Sequence, residues 1–512
     1  MSDWTSGYVA DIGYTFGYYA ELNPLRLRMA FLGAGLQPPE CGVACELGFG
    51  QGVSANMHAA ASVTRWYGTD FNPSQAAHAQ ELAAVSGSGA QLFDEGFDVF
   101  CQRDDLPEFD YIGLHGIWSW ISDANRAVIV DFIRRKLKVG GVLYISYNTQ
   151  PGWAAMVPMR DLLTEHSEVM GAPGHGTVSR IDAALEFADK LMATNPMYLR
   201  ANPGVAERLK QIKGQNRNYV AHEYFNRDWL PMPFARMADW LAPTKLSFAC
   251  SAAYFDHADP INLTDDQQTL LKEIPDPMFR ETARDFCVNQ QFRRDYWVKG
   301  PRKLSPLAQR EALQAQKVLL VMARADVPKK VKGGLGEAEL SPEVYEPILD
   351  FLGDHQPHTL GEIALGVQDK QISFAQVLQA IVILTGAMAV LAVQDDAVIA
   401  KAAPRAMALN LHLIQQARGN ADVAYLASPV IGGAVAVQRF SQLFLLGMAK
   451  GYREVPALAE FTWNIIAGQG QRLVKAGKPL ETPEESLEEL RRQVAEFQEK
   501  ELPILMALRI AS

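Results

Sequence analysis

Between Val43 and Tyr147, apolar positions fall in short runs rich in β-branched and aromatic side chains, separated by longer stretches with helical spacing. Val43 to Leu47, Thr64 to Thr69, Phe109 to Leu114 and Val142 to Tyr147 read as strands, with a weaker one at Gln91 to Phe93. Strands that alternate with helices in this way predict a parallel sheet covered on both faces, an α/β arrangement of Rossmann-like type.

Beyond Pro151 and Gly152 the pattern changes. From about Pro158 to Arg294 it is mostly helical, broken by proline-rich pieces such as Leu230 to Pro233, which predicts a second, mainly helical domain. Val327 to Gly336 is rich in lysine and glycine and reads as an exposed linker. Past it, Pro342 to Leu352, Thr359 to Leu365 and Ser373 to Leu384 have helical patterns. Met388 to Val393 and Ala397 to Ala400 read as strands joined by a turn at Gln394 to Asp396. Three helices and a hairpin describe a winged helix. Its third helix has neither lysine nor arginine from Gln371 to Leu384, so the module is expected to pack or bind protein rather than enter a DNA groove. Thr482, Pro483 and Glu485 form a capping-box start for a helix running through Lys500 and ending near Pro503. The domains expected are 1–155, 156–325 and 341–512, with a linker over 326–340.

Composition narrows the partners. The 48 basic and 58 acidic residues leave a net charge of −10, which repels phosphate backbones and anionic lipid and makes nucleic acid a poor default partner. Met1 to Trp4 shows no basic segment leading into an apolar one, so no secretory signal is expected. The longest apolar run, Ala380 to Val393, is too short to span a bilayer. Five scattered cysteines without a C-x-x-C pair suit a reducing compartment. A cytoplasmic location without membrane insertion follows as the expectation.

The chemistry starts where the first strand must turn into a helix. Glu46 is followed by Gly48, Gly50 and Gly52, and glycines there let the backbone bend tightly and approach a ligand. Asp70, twenty residues past Gly50, closes the next strand and is placed to accept hydrogen bonds from ribose hydroxyls. A dinucleotide-binding dehydrogenase is the competing reading. Its fingerprint spaces the last glycine three residues from the second, whereas here the interval is two. Glu46 also suits a positively charged amino group better than a pyrophosphate.

Together with Tyr14 to Leu27, Phe109 to Trp120, Ser146 to Trp153, Tyr219 to Phe225 and Phe286 to Arg294, this turn resembles bacterial class I S-adenosylmethionine-dependent methyltransferases that carry a methyltransferase regulatory domain. The rickettsial protein-lysine methyltransferases that modify outer-membrane protein are among them. The likeness covers about Tyr8 to Lys299. It departs from the pattern at Leu22 to Pro24, usually Thr-His-Pro, and at Phe49, where cysteine or alanine is commoner.

The resemblance implies S-adenosylmethionine as cofactor, its methionine moiety held by Glu46 and the backbone of Gly48, Gly50 and Gly52. Asp70 would take the ribose, Phe71 would flank the adenine, and Asp94 to Phe97, with Glu95 and Phe97, would meet the adenine edge. An amine acceptor must lose its proton, which an aromatic slot favours. Tyr14, Tyr18, Trp118, Trp120, Tyr147 and Trp153 are candidates for that slot, against the alternative that they fill the core. His115 is either a base or the cap of its strand, with position favouring the cap. His222 and Glu223 begin a zinc motif, but Asn226 stands where its second histidine must fall, so no metal is expected and a packing or interface role is. Asn148 to Pro151 follows the wrong strand to serve as an amino-group methyltransferase signature. The function expected is methyl transfer to lysine side chains of protein. A glycan or small-molecule acceptor and a catalytically degenerate scaffold are the alternatives. Homodimerisation is compatible with the sequence and not demanded by it.

Overall fold

The computed structural model describes residues 15–171, 176–475 and 477–511. Its centre is a seven-stranded sheet in the order β3-β2-β1-β4-β5-β7-β6. The strands are β1 (Val43–Leu47), β2 (Arg65–Asp70), β3 (Gln91–Asp94), β4 (Phe109–Leu114), β5 (Leu137–Asn148), β6 (Leu246–Ser251) and β7 (Phe292–Lys299). The first five pair in parallel. β7 inserts antiparallel between β5 and β6. All five residues of β1 are buried, as expected for a central strand with helices on both faces.

The sheet therefore extends well past residue 155, and a boundary drawn there divides it. β7 escapes sequence reading because its polar positions look like surface charges. Arg293 is instead buried and ion-paired with Asp285 at 2.6 Å, Asp295 at 3.0 Å and Glu281 at 2.8 Å. A strand pattern that hides its charges inside an ion-pair cluster loses its alternation of apolar and polar positions.

Between β5 and β6 the chain forms a helical layer from Val157–Val169, Thr177–Ala193, Gly204–Lys213 and Arg217–Tyr224. Ile181, Ala184, Leu185 and Ala188 form one apolar stripe at helical spacing and meet Leu163, Leu209, Ile212 and Val220 in a shared core.

In the C-terminal third, helices Pro342–Phe351, Leu360–Gly366 and Phe374–Gly386 lie where expected, two of them opened by capping boxes at Thr359 and Ser373. The accompanying sheet differs from the expected wing. It is built from Lys317–Leu320, His358–Thr359 and Val390–Ala392. Ala397 to Ala400 is the start of a long helix, Asp396–Gln416. Ile399, Ala402, Ala406, Leu409 and Leu413 are its buried positions, spaced three and four apart, so the short β-type run is one turn of an amphipathic stripe. The expected linker is also ordered. Lys330–Gly333 and Gly336–Glu339 pair as a hairpin, with Gly333 so close to Ile261 that a Cβ would lie 2.2 Å from its carbonyl oxygen. The capping box at Thr482 opens a helix to Glu496, and the chain then passes through a wider helical turn into Leu502–Ala507 rather than stopping at Pro503.

This C-terminal unit bears directly on the glycine turn. The helix after that turn, Val53–Ala61, is buried at every residue. It lies in one core with Leu409, Leu413 and Leu426, the last from the hairpin Tyr425–Ser428 and Gly433–Ala436. Truncating the fully buried Met57 to alanine would cost about 2–5 kcal/mol.

Candidate functional site

The ends of β1 and β2 build one wall of a cavity of about 430 Å³. Gly48, Gly50 and Gly52 all take positive φ, at 76°, 56° and 70°, a region that side chains with a Cβ rarely enter. Space enforces the same choice at two of them. A Cβ on Gly48 would lie 2.3 Å from the Ile117 side chain, and one on Gly52 2.3 Å from the Ala79 Cβ. Asp70 fixes the turn from below, its carboxylate accepting from the Gly50 amide at 2.8 Å and the Asn72 amide at 3.0 Å. Both bonds come from backbone, so the remaining lone pairs are available to a diol in the cavity.

Glu46 is almost wholly buried, and among the described residues its Oε2 has no hydrogen-bond partner. Burial, reinforced by Asp70, pushes its carboxyl up to about 8. Asp70 is raised to about 6, again by burial and against its two amide donors. Two buried carboxyls without a cation call for a positively charged ligand group. They fit S-adenosylmethionine, whose amino group and ribose diol match an orphan carboxylate and a two-oxygen acceptor.

Glu46, Gly48, Gly50, Asp70, Phe71, Glu95 and Phe97 line the cavity, as do His115 and Trp120. Gly52 does not line it and serves the packing of two helices instead. Glu95 is tied to Arg103 at 2.6 Å. Several expected aromatics face elsewhere. Tyr18 points to the C-terminal unit, where its hydroxyl accepts from the Ala434 amide at 3.0 Å. Its neighbour Tyr19 lines the cavity instead, because successive side chains of an extended segment point to opposite sides. Trp118 is buried edge-on against Trp240, its indole N–H toward the Met232 sulfur. The Tyr147 hydroxyl donates to Asp295 at 2.8 Å. Trp153 packs on Trp229 and Tyr224 in the helical layer. Each of these four fills a core. Tyr14 lies outside the described residues. Asn148 is absorbed in backbone pairing, with its amide on the Ser119 hydroxyl and its carbonyl accepting from Met232.

His115 stacks on Tyr19 with ring centroids 3.9 Å apart, and its Nδ1 lies 2.7 Å from the Tyr144 hydroxyl. Burial lowers its pKa to about 4, which keeps the ring neutral near pH 7 and unable to hold a proton taken from an ammonium.

The facing wall comes from a part of the chain for which the sequence suggests a packing or interface role. His222 and Glu223, from the helix Arg217–Tyr224, and Asp228 all border the cavity. The following segment is stitched to the turn Trp118–Trp120 by the Leu230 amide, which donates to the Ser119 carbonyl at 2.8 Å. Asn72, Gln75, Ser122 and Asn125 complete the polar lining. Six carboxylic acids border the cavity, Glu46, Asp70, Glu95, Asp98, Glu223 and Asp228, and among the described lining residues there is neither lysine nor arginine. The motif His222-Glu223 and the family-like segment Tyr219 to Phe225 are the sequence signals for this wall.

Residues 216–299 match the model of the "Predicted methyltransferase regulatory domain" family, so the matched segment includes the helix of the second wall and both antiparallel strands. The structure resembles that of PKMT2 from Rickettsia typhi in complex with AdoHcy, with a TM-score of 0.70 at 16% identity over 97% of this chain and 99% of that one. Among sequences, Rickettsia prowazekii RP028, an uncharacterized protein, is 28% identical over 37% of this chain and 76% of its own. The uncharacterized protein sll1526 of Synechocystis is 39% identical over 99% of this chain and all of its own length. The chain belongs to the family that includes sll1526, joining a class I methyltransferase fold to a methyltransferase regulatory domain.

Proposed function

We propose that the protein is an S-adenosylmethionine-dependent methyltransferase that acts on an amine, the lysine side chain of a protein substrate. The observation that carries this reading is the cavity at the glycine turn, lined by six acids and by no lysine or arginine among the described residues. The AdoHcy complex of PKMT2, with the same fold, supports the choice of cofactor.

Bound S-adenosylmethionine brings a methyl group already activated on a sulfonium, so no covalent enzyme nucleophile is needed. Glu46 receives the cofactor's amino group beside the backbone of Gly48 and Gly50. Asp70 accepts from the ribose hydroxyls, and Phe71, Glu95 and Phe97 border the adenine. Tyr19, stacked on neutral His115, and Trp120 present ring surface, which shelters a neutral amine and accommodates the cation formed on methylation. The wall carrying His222 and Glu223 faces this space from the opposite side. The five described thiols are unpaired, which supports a reducing, cytoplasmic setting.

Incubating the protein with methyl-labelled S-adenosylmethionine and cell lysate tests the reading. Label in protein, mapped by mass spectrometry to lysine, is the expected outcome. Label confined to glycans or metabolites would contradict the acceptor, and cofactor binding without any transfer would point to a degenerate scaffold.

A further inference from the structure

Of the six acids around the cavity, four already have a task or a partner and a fifth is exposed to solvent. Glu46 and Asp70 belong to the glycine-turn wall. Glu95 is paired with Arg103, and Asp98 is exposed at the rim. Asp228 lies 3.7 Å from Arg227 and in the field of buried Arg126. Glu223 stands apart. It comes from the opposite wall, is half-buried, and makes no ion pair with any described residue. Tyr19 and His115, the stacked pair, line the same cavity as Glu223. His115, whose pKa burial lowers to about 4, is a weak proton acceptor there.

We infer that Glu223, carried by the regulatory domain and not by the methyltransferase fold, receives the acceptor amine, pairing with the incoming ammonium and taking the proton its nitrogen must lose before attack. This deepens the proposed function and rests on it. In the first step the ammonium N–H bond breaks and the proton passes to the Glu223 carboxylate, leaving a neutral amine and a carboxylic acid. The nitrogen lone pair then forms the new N–C bond to the methyl carbon. The C–S bond breaks as this forms, and its electron pair stays on sulfur as a thioether. The methylated ammonium departs and Glu223 releases its proton to water. Nothing is oxidised or reduced. Burial alone holds the Glu223 carboxyl near 7, against an ordinary 4.5, and a proton acceptor works best when poised near the operating pH. The domain called regulatory thus supplies a catalytic residue, and the methyltransferase fold alone has an incomplete acceptor site.

The test uses the full chain saturated with S-adenosylhomocysteine, with Nα-acetyl-lysine methyl ester and its uncharged isostere Nα-acetyl-norleucine methyl ester as probes in isothermal titration. The wild type is expected to prefer the lysine probe at least tenfold. Glu223→Gln should lose that preference while its affinity for S-adenosylhomocysteine stays within twofold, which also reports that the variant folds. Glu223→Asp should retain part of the preference, and serves alone if the glutamine variant does not fold. The inference is overturned by an unchanged preference in Glu223→Gln, or by wild type that binds S-adenosylhomocysteine and does not discriminate the probes. A parallel loss of cofactor affinity in Glu223→Gln would move the residue to the cofactor site and overturn it as well. Failure of the wild type to bind S-adenosylhomocysteine would instead sink the proposed function, and the inference with it.

Discussion

The two walls of the cavity are built in opposite ways. The wall at the ends of β1 and β2 is backbone geometry: alternate glycines at positive φ, amides aimed at Asp70, and a helix buried on all sides behind them. The facing wall is side chains, His222, Glu223 and Asp228, delivered by a helix and loop more than a hundred residues away in the chain. A cofactor common to many enzymes needs the same cradle each time, whereas an acceptor is chosen by groups that can be exchanged without disturbing the sheet. Damage to the first wall should therefore remove cofactor binding, and damage to the second should leave it intact.

The largest effect is expected from Gly48→Val. Its Cβ would meet Ile117 in a backbone conformation that valine resists, and the turn must shift. Cofactor affinity should fall by two orders of magnitude or more, with a lower melting temperature by calorimetry. Asp70→Ala comes next. It removes a charged acceptor worth about 1.5–3 kcal/mol, so titration should show a loss of roughly 10- to 100-fold.

Acidity offers a subtler contrast. On the proposed function, cofactor binding draws on ionised Glu46 and Asp70, whose carboxyls are raised to about 8 and about 6. Affinity should rise with pH between 6 and 8 and level off above, and Glu46→Gln should flatten the upper part of that rise. The stability linkage has the opposite sign. A carboxyl with a raised folded pKa stabilises fully below its unfolded value and loses that contribution as pH climbs through the folded one. At pH 8 and without cofactor, Glu46→Gln should therefore melt higher than wild type, by roughly 1 °C for each kcal/mol recovered, while binding cofactor less well. The smallest effect belongs to Tyr18→Phe. It deletes the acceptor for the Ala434 amide, costing about 1 kcal/mol of stability and leaving cofactor affinity unchanged. A changed affinity would place Tyr18 in the site after all.

What could be read from the chain follows the same division. The five parallel strands and the glycine turn are legible because they are local: short apolar runs, then glycines and an acid at fixed spacing. β7 is hidden by the buried Arg293 and Asp295, charges that pattern reading assigns to the surface. The choice between Tyr18 and Tyr19 depends on which side of an extended segment the C-terminal hairpin covers, a long-range contact with no local trace. Glu223 sits in a motif that fails as a zinc site, and only the fold, by bringing the helix Arg217–Tyr224 over the mouth of β1, gives it a place.

The central claim, that the glycine turn is an S-adenosylmethionine site, is tested most directly by isothermal titration of the intact protein with S-adenosylmethionine. Saturable one-site binding, abolished in Gly48→Val and weakened in Asp70→Ala, is the predicted result. No heat of binding from a protein shown by circular dichroism to be folded would contradict it.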